Sequence, residues 1–213
     1  MQITRLILGL FETNCYIVAA EGAAECLLID PADHAERIQK EMHAMGLTPA
    51  AILLTHGHYD HMLAAPELKK MQSGLPLYCH PLDVAEERSE YDPDLRRSFP
   101  TVRACTERCA LADGERLMLA GLDIEVIATP GHTPGSVVFR IEDALFTGDT
   151  LFWRDIGRTD FPGGSYPQML ASLRRLDALP YDADVYPGHG MATRLDEERK
   201  YNSYIKEARK GGA

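Results

Sequence analysis

Apolar residues along the chain come in short runs broken by turn chemistry, and the runs alternate between strand-like and helix-like spacing. Runs at 3–8, 14–20 and 25–30 read as strands. Residues 33–46 read as a helix, because Ile38, Met42 and Met45 fall at helical spacing and Gly46 ends it. Ala50-Ala51-Ile52-Leu53-Leu54-Thr55 reads as a short buried strand, followed by a helix at about 60–73 and a strand at 76–79. Residues 81–110 are charged and weakly periodic, and read as short helices and loops.

The second half repeats the alternation, with strands at 115–119, 122–128, 136–141 and 144–147. A helix at about 166–178 opens on Ser165 and Gln168, placed as a capping box, with Pro167 in its first turn. A strand at 183–186 follows, then a last helix at about 194–209, capped by Thr193 with Asp196 three residues on. No linker rich in Gly, Ser or Pro interrupts the pattern, so residues 1–213 read as one domain. Strands and helices in two similar halves predict two sheets packed face to face with helices outside.

Composition narrows the class. A chain of 213 residues with 45% hydrophobic and 25% charged residues can bury a substantial core. No apolar run reaches the ~20 residues of a membrane span. A formal charge of −10, with no Lys/Arg block, argues against a nucleic-acid partner. The apolar start from Ile3 to Phe11 is cut off by Glu12-Thr13-Asn14 without a small-residue cleavage site, so it reads as a strand in a cytoplasmic protein. Five irregularly spaced cysteines read as reduced thiols, and Cys105 and Cys109 lack a His at zinc-finger spacing.

The chemistry concentrates after strands. The 50–55 strand is followed by His56-Gly57-His58-Tyr59-Asp60-His61, a run whose chance occurrence is on the order of one in a thousand. His56 and His58, two apart in extended backbone, point the same way. Asp60 and His61 stand where a helix begins and can face a second point nearby. His132, Asp149 and His189 each follow an apolar strand within about four positions, in Thr129-Pro130-Gly131-His132, Thr147-Gly148-Asp149 and Pro187-Gly188-His189. Five His and two Asp exceed the needs of one metal ion. Two ions suit them, one on His56, His58 and His132, the other on Asp60, His61 and His189, with Asp149 bridging. Imidazole and carboxylate ligands suit Zn, Fe or Mn, and coordination left over for water is the arrangement of a catalytic site. His34 and His43 read as surface residues, Asp30 as a turn residue or support for a neighbouring ligand. His80, Tyr59 and Trp153 divide between lining a substrate mouth and ordinary packing.

The run from Thr55 to His61, with His132, Asp149 and His189, resembles the metallo-β-lactamase superfamily across essentially the whole chain. Gly148-Asp149-Thr150-Leu151-Phe152, Gly157-Arg158-Thr159-Asp160-Phe161 and Tyr186-Pro187-Gly188-His189-Gly190 are similar to the glyoxalase II (hydroxyacylglutathione hydrolase) branch and its short bacterial relatives. The resemblance implies an α+β fold, a four-layer αββα sandwich with metals at one edge of the sheets, and the ligand division given above. It implies a dinuclear hydrolase of S-2-hydroxyacylglutathione-type thioesters, with a metal-bridging hydroxide that Asp60 orients. It also implies that Arg158, nine residues past Asp149, binds substrate. Where the family carries Tyr, this chain has Asp160 and Met191, and the C-terminal helical domain that forms much of the family's glutathione site is expected to be absent. The expected substrate is therefore a small-molecule thioester held weakly at its carrier end. The alternative activity is a mononuclear Fe(II) persulfide dioxygenase on His56, His132 and Asp149.

Overall fold

The computed structural model describes residues 1–85 and 108–211. One sheet runs in the order β1 (Gln2–Leu8), β2 (Thr13–Ala19), β3 (Glu25–Ile29), β4 (Thr48–Leu53), β5 (Leu77–Cys79) and β6 (Arg108–Ala110). Its first two pairings are antiparallel and the other three parallel. The second sheet places β7 (Arg116–Leu119), β8 (Leu122–Ala128), β9 (Val137–Ile141), β10 (Ala144–Gly148), β11 (Asp184–Pro187) and β12 (Thr193–Arg194) side by side in chain order. There only β10 and β11 pair in parallel. The helices are α1 (Ala35–Ala44), α2 (Ala65–Met71), α3 (Pro81–Ala85), α4 (Tyr166–Asp177), α5 (Leu195–Tyr201) and α6 (Ser203–Lys210). Among the described residues no helix is long and apolar enough to cross a membrane.

The two-residue period of the strands sorts the core into layers. On β2, Tyr16 and Val18 face the opposite sheet, whereas Cys15, Ile17 and Ala19 face α1 and α2. β3 and β4 divide likewise, with Leu27, Ile29, Ala51 and Leu53 between the sheets and Cys26, Leu28, Ile52 and Leu54 under the helices. Buried on both faces, these strands read as unbroken apolar runs. The second sheet sends Ile124, Val126, Phe139 and Phe146 inward and Ile127, Val138, Leu145 and Val185 against α4 and α6. Three apolar clusters between four layers make the αββα sandwich that the two-sheet reading predicts.

Polar ties lock one edge of the sandwich. Tyr16 Oη donates to the Pro187 carbonyl at 2.6 Å, and Asn14 Nδ2 donates to the same carbonyl at 2.9 Å and to that of Gly190 at 3.0 Å. The Val137 amide donates to the Thr55 carbonyl at 2.8 Å. The loops that follow β4, β8, β10 and β11 therefore leave the sheets in fixed relation to one another.

Several elements depart from the expected pattern. The helix expected at about 60–73 is a single 3₁₀ turn (Tyr59–His61) followed by α2. Residues 108–110, expected in helix or loop, form β6, a parallel partner of β5 that is too short to show a period. Thr193 does not cap the last helix. It lies in β12, and its hydroxyl donates to the buried Glu198 carboxylate at 2.8 Å. The last helix is two, α5 and α6, because Asn202 leaves helical geometry and caps α6 through the amides of Tyr204 and Ile205. Ser165 does cap α4, accepting from the Gln168 amide.

Asn202 is fully buried and also donates to the Asp155 carbonyl and the Glu198 carboxylate. Asn202→Ala removes a cap worth about 0.5–2 kcal/mol and a hydrogen bond to a charged acceptor, Glu198, worth about 1.5–3 kcal/mol. A loss of about 2–4 kcal/mol in denaturant unfolding is the expected outcome.

Candidate metal centre

All seven sequence-predicted ligands meet at the tied edge of the sandwich. His56 and His58 leave the end of β4, and the 3₁₀ turn carries Asp60 and His61. His132 follows β8, Asp149 follows β10 and His189 follows β11. His56 Nε2 and His132 Nε2 lie 3.1 and 2.8 Å from His58 Nδ1. His61 Nε2 lies 3.6 Å from Asp60 Oδ2 and 3.4 Å from Asp149 Oδ1. His189 Nε2 lies 3.4 Å from Asp60 Oδ2 and 3.6 Å from Asp149 Oδ2. Asp149 touches both groups, since its Oδ2 is also 3.4 Å from His132 Nε2. His56, His58 and His132 form one set of convergent donors, and Asp60, His61 and His189 form another.

Hydrogen bonds on the outer side fix which nitrogen of each ring faces inward. The Asp30 carboxylate accepts from the Thr55 amide at 2.8 Å and from the Thr55 hydroxyl at 2.7 Å. With its proton so used, Thr55 Oγ1 is left to accept from His56 Nδ1 at 3.0 Å. Asp30 Oδ2 also accepts from His61 Nδ1 at 2.9 Å. His132 Nδ1 donates to the Arg158 carbonyl at 2.6 Å, and His189 Nδ1 to that of Phe11 at 3.1 Å. In the neutral tautomers this leaves the Nε2 lone pairs of His56, His61, His132 and His189 pointing into the cluster.

Such a donor set fits a divalent cation. Ligands about 2.1 Å from a tetrahedral ion stand about 3.4 Å apart, close to the inter-donor distances here. The buried His61 Nε2 and Asp149 Oδ1 face each other at 3.4 Å, long for a hydrogen bond, and have no better partner. With the rings neutral, the three converging nitrogens of His56, His58 and His132 have at most one proton between them, on His58 Nδ1.

Charge separates the two sets. Burial and the surrounding imidazoles push His56 well below the usual imidazole range, and burial with His132 brings His58 down to about 3. Burial alone would lower His61 as well, but the carboxylates of Asp60, Asp149 and Asp30 together outweigh it and hold the ring well above that range. His189 is raised because the Asp60 and Asp149 carboxylates overcome its burial. Burial opposes ionisation of Asp149, but His61, His132 and His189 bring it to about 2, and Asp60 is lowered in the same way.

Arg158 stands on the loop that holds His132, but its side chain is 63% exposed and bonds Asp160 through Nε at 2.9 Å and Nη2 at 2.8 Å. Its guanidinium lies over Phe161, whose ring is 6.0 Å from that of His58. Tyr59 packs edge-on against Phe11, and Trp153 is half exposed beside Arg154. His34 and His43 are on the surface. His80 accepts from the Leu82 amide. Asp30 proves to be the support its strand-end position suggested. Thr13, which donates to Asp60 Oδ2 at 3.0 Å, was not foreseen, although a polar pair at the head of an apolar strand was the available signal. Cys109 lies on β6, and Cys105 falls outside the described residues.

Comparison with known proteins agrees with this geometry. The Metallo-beta-lactamase superfamily profile matches residues 8–189, and the chain belongs to that family. Hydroxyacylglutathione hydrolase GloC of Haemophilus influenzae is 33% identical over 210 residues, covering 96% of this chain and 98% of its own. The solved structure of TTHA1623 in a di-iron-bound form superposes with a TM-score of 0.82 at 37% identity, covering 94% of this chain and 99% of its own. ETHE1 from Myxococcus xanthus superposes with a TM-score of 0.80 at 26% identity, covering 100% and 92%. Members of this superfamily are mostly metal-dependent hydrolases, and the His/Asp cluster here is suited to divalent metal.

Metal binding requires the lone pairs that protons occupy on His61 and His189. Both pKa values are raised, so both rings tend to be protonated in the metal-free protein, and loading releases protons. His56 and His58, lowered, are already neutral at pH 7 and release none. Zn²⁺ affinity is expected to rise with pH through neutrality, with proton release in calorimetry across buffers of different ionisation enthalpy. An affinity independent of pH would contradict this charge pattern.

Proposed function

We propose that the chain is a dinuclear metal-dependent hydrolase of small-molecule thioesters, with S-2-hydroxyacylglutathione-type compounds as the first substrates to test. The observation that carries this reading is the pair of donor sets sharing Asp149. One ion would be held by His56, His58 and His132, the other by Asp60, His61 and His189, with Asp149 between them. Zinc is the first metal to test, with iron or manganese open to the same ligands.

Bound there, divalent ions supply an ionised water at neutral pH and Lewis acidity toward a carbonyl. Asp60, ionised and steadied by the Thr13 hydroxyl, accepts a hydrogen bond from the attacking water. Its lowered pKa makes it a weak base in the metal-free protein, suited more to aiming the water than to keeping its proton. Asp30 and the Phe11 carbonyl hold His61 and His189 in register beside it. The leaving thiolate has a pKa of about 8.5 and needs no strong acid. Similarity to GloC supports the thioester reading.

Similarity to ETHE1 favours a second reading, the mononuclear iron dioxygenase. That reading uses His56, His132 and Asp149 and gives Asp60, His61 and His189 no work. His189→Ala therefore separates the two. In the hydrolase it is expected to lower kcat on S-lactoylglutathione by about 100-fold or more. An unchanged rate of oxygen uptake with glutathione persulfide in His189→Ala, and no thioesterase activity in either protein, would overturn the hydrolase reading. Asp149→Ala is expected to lose both bound metal and hydrolysis while the fold persists in circular dichroism.

Arg158 would contact a substrate carboxylate by exchanging Asp160 for it. Arg158→Ala is expected to raise KM about tenfold with little change in kcat, the low end for a hydrogen bond to a charged group. An unchanged KM in steady-state kinetics would leave Arg158 as the partner of Asp160 alone.

A further inference from the structure

Two of the proposed ligand loops, distant in sequence, close on one buried carboxylate that belongs to neither. Asp83 lies in α3, just after β5, and is 7% exposed. Its Oδ2 accepts from the Gly57 amide at 2.8 Å, between His56 and His58. The same oxygen accepts from the Thr133 hydroxyl at 2.7 Å, next to His132, and Oδ1 accepts from the Gly135 amide at 2.7 Å. Both glycines make room for it. A Cβ on Gly57 would stand 2.9 Å from the Asp83 carbonyl oxygen, and one on Gly135 would stand 2.6 Å from Asp83 Cγ. These are closer than real Cβ atoms come, so both positions exclude a side chain while Asp83 is in place.

We infer that Asp83 is a positioning residue that clamps the His56/His58 loop to the His132 loop and so sets the spacing of those three imidazoles. The inference rests on the metal-centre reading above. His56 and His58 come from the first sheet and His132 from the second, so their spacing depends on how the sheets meet. The clamp acts one residue from each imidazole through Gly57 and Thr133, and three residues from His132 through Gly135. The Asp83 carboxylate bonds Gly57, Thr133 and Gly135, none of which adjoins Asp60, His61 or His189. Ionised Asp83 accepts all three bonds. Asn at this position has one accepting oxygen, and its amide nitrogen would face a donor.

Co²⁺ titrations of the metal-stripped protein, with chelator competition, test the clamp. In a His189→Ala background the His56/His58/His132 set is intact, and Asp83→Asn is expected to weaken Co²⁺ binding about 10- to 100-fold, the usual effect of losing a group that orients ligands. The Co²⁺ absorption spectrum of that site should change with it. In a His132→Ala background the set is already broken, and the same substitution is expected to change the remaining affinity by no more than about twofold. Equal loss in both backgrounds would show Asp83 to be general scaffolding and would overturn the inference, as would no loss in either. Should Asp83→Asn fail to fold, Thr133→Val removes one of the three bonds and is expected to give the same contrast at about 2- to 10-fold. If the unsubstituted protein binds no Co²⁺, the metal-centre reading falls and takes this inference with it. Binding that is normal there and unchanged in Asp83→Asn would overturn the clamp alone.

Discussion

Five imidazoles and two carboxylates share one edge of the sandwich, and their inward nitrogens and oxygens outnumber the protons available to pair them. Each buried polar atom without a partner costs about 1–3 kcal/mol, so the cluster is a poor bargain for a protein that holds nothing there. Divalent charge changes the sign of that balance. An ion bound there would take the converging lone pairs as ligands and offset the buried carboxylates of Asp60 and Asp149. The surrounding loops make sense as supports for this centre.

Some of those supports lie within one half of the chain, and others join the two halves. Asp30, at the end of β3, holds Thr55 and His61. The Arg158 and Phe11 carbonyls hold His132 and His189. Thr13 opens β2 and steadies Asp60. Asn14 and Tyr16, on the same strand, draw the Pro187 segment toward the site. Backbone carbonyls and short side chains carry these bonds, which leaves the site's geometry little freedom once the sheets pack.

The proposed ligands were legible because four of them sit in six consecutive residues and the others stand at strand ends marked by Pro and Gly. The layered fold was legible because strands buried on both faces are continuously apolar. What escaped depends on contacts remote in the chain. Asp83 looks like any acidic residue in a charged stretch, and only the packing of α3 brings it to Gly57 and Gly135. Thr193 resembles a cap by local spacing, but pairing with β11 makes it a strand residue. Asn202 is tolerable inside a helix, and its partners, the Asp155 carbonyl and Glu198, are what make it a break. Arg158 was placed correctly on the loop beside the site, whereas its bond to Asp160 is a side-chain geometry that spacing does not specify.

The central claim is that the cluster is one centre for two ions. Counting metal atoms per chain in the purified protein, by elemental analysis with the protein concentration measured independently, tests it most directly. The account predicts about two divalent ions per chain, both lost together in strong chelator. A single iron per chain that is retained at full occupancy, with no second ion bound in excess zinc, would contradict it.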